Sequence, residues 1–154
     1  MITVASKGLI SYPFLGIEFD NLYGEQSFNM QHAYYHSKQA QVMFTFDLAE
    51  HLCGTGVTAH CVRVGNVAIP DDRLTHLPKW MLKMYEAKRK FSMTPEQMAE
   101  TYVWLAADPI GEQKTGGYWD APNVEVKANR KAYNKETQKK LWDVSTMLAR
   151  LNVP

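Results

Sequence analysis

The apolar-rich run over residues 30–52, framed by two short β-branched runs, restricts the fold more than anything else in the chain. Asn29 supplies a cap before it and Gly54 a stop after it, so the run reads as one long helix. Residues 2–5 before it and 57–64 after it suit buried strands, the second interrupted by His60 and Arg63. A helix of that length carries the chain back to the end of the sheet it left, so the two strands should run parallel. Late in the helix, Met43, Phe44, Phe46, Leu48, Ala49 and Leu52 make a band wider than one stripe. One side of that band faces the sheet; the other calls for a partner helix, which predicts a homodimer through residues 30–52.

The remaining segments extend the α/β pattern. Residues 7–28 form a long connection broken by Gly8, Pro13, Gly16 and Gly24, and loops of that length tend to be functional. Residues 69–92 hold turn residues, then an amphipathic stretch with Trp80, Met81, Met84 and Tyr85. Thr94-Pro95-Glu96-Gln97 is a capped helix start, with threonine as cap, proline in the first turn and glutamine closing the box. That helix runs to Ala107, burying Met98, Tyr102 and Leu105, until Asp108-Pro109 stops it. A short strand over 116–119 and a last helix over 134–151, with Leu141, Val144, Leu148 and Leu151 on one face, complete the reading.

A chain of 154 residues, 45% hydrophobic and 21% charged, fits one domain over residues 1–154. Its net charge of +1 gives no electrostatic reason to expect nucleic acid or an anionic membrane, and Lys88-Arg89-Lys90 reads as a solvated helix face. No apolar run is long enough for a membrane segment. Cys53 and Cys61 cannot build a disulfide framework, so a reducing compartment such as the cytoplasm is expected.

Chemistry concentrates at the start of the long helix. Tyr34 and Lys38, four apart, lie one turn above the other on a single face. An ammonium beside a phenol favours the phenolate, and a tyrosine so tuned gives or takes a proton near neutral pH. His32 and His36 share the same spacing, but no third ligand lies nearby, so no metal site is expected.

With Ser37 before the lysine, Ala40 after it and Ser6 ending the first strand, these residues form an ordered Ser, Tyr, Lys set. The stretch AYYHSKQAQVMFTFDLAEHLCGTGVTAHCVRVGNV resembles the short-chain dehydrogenase/reductases, and within them the retinol-dehydrogenase-like branch. The resemblance covers nearly the whole chain and implies the C-terminal half of a Rossmann-like doubly wound parallel sheet. It implies an oxidoreductase that moves a hydride between NAD or NADP and a small apolar carbonyl or alcohol. In that scheme Ser6 orients the oxygen and Tyr34 is the acid or base. Lys38 serves phenol and ribose, and backbone at Gly65 and Val67 seats the nicotinamide.

Two departures accompany the resemblance. Val64 stands where a proline is usual, and Ala5-Ser6-Lys7 leaves either Ser6 or Lys7 at the catalytic serine position. No strand, glycine-rich turn and helix in that order occurs, since Gly54-Thr55-Gly56 follows a helix and enters a strand. An absent dinucleotide-binding half is therefore expected, with a chain that alone is inactive. A non-catalytic remnant or interaction module is the alternative. Apolar Phe14, Trp80 and Met84 are expected to line the substrate site without fixing the substrate's identity.

Overall fold

The computed structural model describes residues 1–151, excepting the side chains of Asp71 and Leu151. Strand β1 spans Ile2–Ser6, helix α1 Met30–His51 and strand β2 His60–Val64. Helices α2 (Lys79–Arg89), α3 (Pro95–Ala107) and α4 (Pro109–Gln113) follow, then β3 (Gly117–Asp120), β4 (Val124–Glu125) and α5 (Lys135–Leu151). The sheet order is β1-β2-β3-β4, with β1, β2 and β3 parallel and the two-residue β4 antiparallel at one edge.

The caps lie where side-chain chemistry puts them. Asn29 accepts from the His32 N–H at 3.0 Å, and Thr94 with Gln97 forms the reciprocal capping box. Asp108 ends α3 and also caps α4, accepting from the Ile110 N–H at 2.9 Å.

Strand β2 begins later than residue 57. The Ala59 N–H donates to Thr115 Oγ1 and the Thr58 hydroxyl to the Gly111 carbonyl, so these residues are engaged outside the ladder. The interruptions expected at His60 and Arg63 do not occur, because both polar groups find partners inside the fold. His60 Nδ1 accepts from the Trp119 indole at 3.3 Å, while Nε2 faces the Gly111 carbonyl at 3.1 Å. Arg63 donates to Asp120 at 2.7 Å and lies over the Tyr118 ring.

Both faces of the sheet are covered, as a doubly wound arrangement requires. On one, Ala5, Cys61 and Tyr118 pack with Val42, Met43 and Phe46 of α1 and Leu141 of α5. On the other, Val62 and Trp119 pack with Met98 and Leu105 of α3, and Tyr102 is half-buried beside them. The side chain of Leu151, expected on the inner face of the last helix, lies outside the described residues.

The outer side of α1 corrects one expectation. Phe44 and His51 stack on Trp142 of α5 with ring centres 5.3 and 4.1 Å away, and Glu50 pairs with Lys135 at the head of α5. The wide apolar band is thus covered from within the chain, and the reason for a homodimer through residues 30–52 falls.

Candidate active site

Ser6 closes β1 and opens the short 3-10 turn Lys7–Ser11, with its Oγ accepting from the Gly8 N–H at 3.2 Å. That bond uses the oxygen as an acceptor and leaves the hydroxyl proton for a ligand. In the register of the sheet Ser6 lies opposite Val64, so Gly65 follows directly beside it.

Lys7 points elsewhere. Its ammonium pairs with Asp120 at 2.8 Å, and Arg63 meets the same carboxylate oxygen at 2.7 Å. Burial pushes the Asp120 carboxyl up, but the Arg63 and Lys7 hydrogen bonds and charges outweigh it, leaving it below its ordinary value.

The tyrosine helix is pinned to β1 by its lysine. Lys38 Nζ donates to the Val4 carbonyl at 3.0 Å and to Gln41 Oε1 at 3.1 Å, and lies 5.9 Å from the centre of the Tyr34 ring. An ammonium has three N–H groups, so one remains for a ligand. Tyr34 is half-exposed at 48%, accessible to a substrate. Ser37, just before the lysine, donates back to the Tyr34 carbonyl at 2.7 Å.

Tyr35 is a positioning group that the Tyr, Lys spacing does not reveal. Its ring lies edge-on to Tyr34 with centres 5.1 Å apart and tilts over Tyr12 at 4.5 Å. A Cβ on Gly8 would come within 2.4 Å of the Tyr35 hydroxyl, so this glycine lets the phenol lie against the turn that Ser6 caps. A Tyr-Tyr pair beside a glycine after the first strand was the available signal, but adjacency in space is not written in it.

The Gly65–Val67 segment fits a planar amide ligand. Met93 bridges here by donating to the Asn66 carbonyl at 2.9 Å and accepting from the Ala68 N–H at 2.8 Å. In that pattern the peptide groups of Val67 itself face away from Met93, and among the described residues they take no hydrogen bond. One free donor and one free acceptor on adjacent backbone match the two halves of a carboxamide, so these residues fit a nicotinamide. Gly65, Asn66, Val67, Ala68 and Ile69 also line one wall of a cavity of about 630 Å³, closed on the other side by Leu82, Tyr85 and Glu86 of α2. Phe14, Trp80 and Met84 do not line it; they are 85%, 66% and 46% exposed.

His36 Nε2 accepts from the Glu18 N–H at 2.9 Å and so ties the long loop to α1. Burial lowers its pKa, against Glu18 and with His32. Among the described residues no group of three His, Cys, Asp or Glu side chains could hold a metal ion. Cys61 is buried, which pushes its thiol up to about 11 and makes it inert at neutral pH.

Known proteins align along almost the full length of this geometry. Retinol dehydrogenase 14 from Homo sapiens is 33% identical over 153 residues, 98% of this chain and 44% of the relative. Retinol dehydrogenase 11 from Homo sapiens is 34% identical over 137 residues, covering 89% of this chain and 42% of its own length. The chain belongs to the short-chain dehydrogenase/reductase family, in its retinol-dehydrogenase-like branch. Retinol dehydrogenase 12 from Mus musculus, 34% identical over 133 residues, extends the same pattern. The chain spans less than half the length of these curated relatives. No model of a known protein family matches it.

Proposed function

We propose that this chain is the C-terminal, substrate-facing portion of an NAD- or NADP-dependent oxidoreductase acting on a small apolar carbonyl or alcohol. The observation that carries the reading is the free peptide of Val67, beside Gly65 and one strand away from Ser6. When bound, NAD or NADP supplies or accepts the hydride. The chain's own residues handle the oxygen and the proton. Ser6 donates its hydroxyl proton in a hydrogen bond to the substrate oxygen, the proton being left free because the Gly8 N–H uses the oxygen only as an acceptor. Tyr34 gives its phenolic proton to that oxygen in reduction, or takes the alcohol proton in oxidation. Lys38, already fixed to β1, keeps a positive charge beside the phenol and has one N–H left for a ribose hydroxyl. Ser6, rather than Lys7, takes the catalytic position, because Lys7 is committed to Asp120.

The cavity beneath α2 offers an apolar substrate a surface in Val67, Ile69, Leu74 and Leu82, with Glu86, Lys88 and Arg89 also in its lining. Relatives named for retinol support an alcohol of that kind.

The test is a chimera in which the preceding portion of human retinol dehydrogenase 14 is joined to this chain and assayed with retinol and either cofactor. Turnover is expected, with Tyr34→Phe lowering it by about two or more orders of magnitude. An active chimera in which Tyr34→Phe stays near the parent rate refutes the proton-transfer role. A folded but inactive chimera favours the non-catalytic alternative, for which the engagement of Lys38 by the Val4 carbonyl is the supporting observation. Titrated alone with NAD or NADP, the 154-residue chain is expected to bind neither in the low micromolar range.

A further inference from the structure

The basic run Lys88-Arg89-Lys90 leads directly into Phe91-Ser92-Met93 at the end of α2. Of all the serines and threonines in the chain, Ser92 alone has an arginine three residues before it. It also has a lysine two before it and an apolar residue just after. The three cations and Phe91 are exposed, and Ser92 itself is half-buried. Among the described residues neither Lys88 nor Lys90 enters an ion pair. Cations set at fixed distances ahead of a hydroxyl suit the acidic cleft of a basic-directed serine kinase.

The fold leaves this segment free to enter such a cleft. Ser92 Oγ donates to the Lys88 carbonyl at 2.9 Å. The Phe91 and Ser92 N–H groups donate to the Lys88 and Arg89 carbonyls at 3.0 and 3.1 Å. These are the end bonds of a helix in which no residue is buried, so drawing residues 89–92 out straight uncovers no core. Met93, in its bridge with Val67, is already extended. Ser92, Lys88 and Arg89 also line the cavity together with Glu86, so a change at the hydroxyl is felt there.

We propose that Ser92 accepts a phosphoryl group from ATP through a basic-directed serine kinase, and that the phosphate loosens the end of the helix walling the cavity. In the transfer Ser92 Oγ bonds to the γ-phosphorus as the bond from that phosphorus to the departing ADP breaks, and the hydroxyl proton passes to the kinase's carboxylate base. The product has no O–H left to give the Lys88 carbonyl. It also sets a charge of about −1.5 to −2 at the negative end of the α2 dipole, in a wall that already holds Glu86. Lys88, Arg89 and Lys90 answer that charge only from exposed positions, where ion pairs are weak. This modification stands whether or not the chain takes part in hydride transfer.

The test is incubation of the 154-residue chain with ATP and the catalytic subunit of cyclic-AMP-dependent protein kinase, followed by mass spectrometry of its peptides. A single phosphate is expected, on Ser92 and absent from Ser92→Ala, with a rate lower by about tenfold or more in Arg89→Gln. A synthetic peptide of residues 86–96 serves as the unfolded reference, and circular dichroism checks that both variants keep their fold. No phosphate on the folded chain, whether or not the peptide takes one, overturns the assignment. So does phosphate on another residue, or a rate indifferent to Arg89→Gln. In the phosphorylated chain hydrogen exchange over residues 84–91 should quicken by about two- to fivefold, with residues 98–105 unchanged. Equal or slower exchange over residues 84–91 overturns the loosening.

Discussion

The sheet with α1, α3 and α5 contrasts with the lobe that carries α2. In the first region Val42, Met43, Cys61 and Val62 are completely buried; in the second, not one residue of α2 is. Both hold amphipathic helices, yet only one set of apolar side chains was used to make a core. The Val67–Met93 bridge closes the base of the lobe, so its helix can change its contacts at little cost to the sheet. Stability resides in the first region and adaptability in the second.

Matched substitutions test that division most strongly. Met43→Ala removes a side chain packed between α1 and the sheet and should cost about 2–5 kcal/mol in denaturant unfolding. Met84→Ala should stay within about 0.5 kcal/mol. Similar losses at both positions would erase the contrast.

Asp120→Asn should cost about 1–3 kcal/mol, because Arg63 is left largely buried without its counter-charge and Lys7 loses its anchor. The carboxyl's lowered pKa gives the direction with pH. Its contribution is complete above the unfolded value near 4 and disappears as pH falls through the folded one. In the variant, acid unfolding should begin from a lower baseline and lose less.

Gly8→Ala forces the Tyr35 ring away from the turn and should cost about 1–3 kcal/mol. In the active chimera it should also slow turnover, and Gly8→Ala combined with Tyr35→Leu should regain most of the lost stability. No regain would mean that the two do not meet.

A smaller effect with pH is expected at His60. Burial lowers its pKa, against the Gly111 hydrogen bond, and its Nδ1 already accepts from Trp119. The folded state thus prefers the neutral ring. Stability is full above the unfolded value near 6.5 and declines as pH falls below it, by about 1 kcal/mol or less, which urea titrations at two pH values would detect. His60→Gln should flatten that slope.

The division between the two regions is also a division in what the sequence disclosed. Helix α1 was legible because Asn29 and Gly54 mark its ends and its apolar residues recur at helical spacing; Thr94 and Gln97 announce α3 equally well. These signals are local. The start of β2 was misplaced because Thr58 and Ala59 bond to Gly111 and Thr115, more than fifty residues away. The band that argued for a second copy was covered by Trp142 for the same reason: a partner distant in sequence leaves no mark on the helix it meets. At the site, Tyr34, Lys38 and Ser6 could be named from order and spacing. Tyr35, Gly8 and the Lys7–Asp120–Arg63 cluster could not, because their roles depend on proximity. Phe14, Trp80 and Met84 show the opposite failure, since apolar character there did not mean enclosure.

The hydrogen bond from Lys38 to the Val4 carbonyl has a colloidal consequence. Met1 O receives the His60 N–H, so alternate residues of β1 face β2 and the others, Val4 among them, face the edge that β1 forms among the described residues. Such an edge is a template for another strand, and a charge placed on it is a common deterrent to stacking. Lys38 would then keep chains apart by occupying an acceptor that a second chain would use. Lys38→Met should raise light scattering with protein concentration, so a loss of turnover in that variant must be measured on the monomer before it is attributed to the phenol.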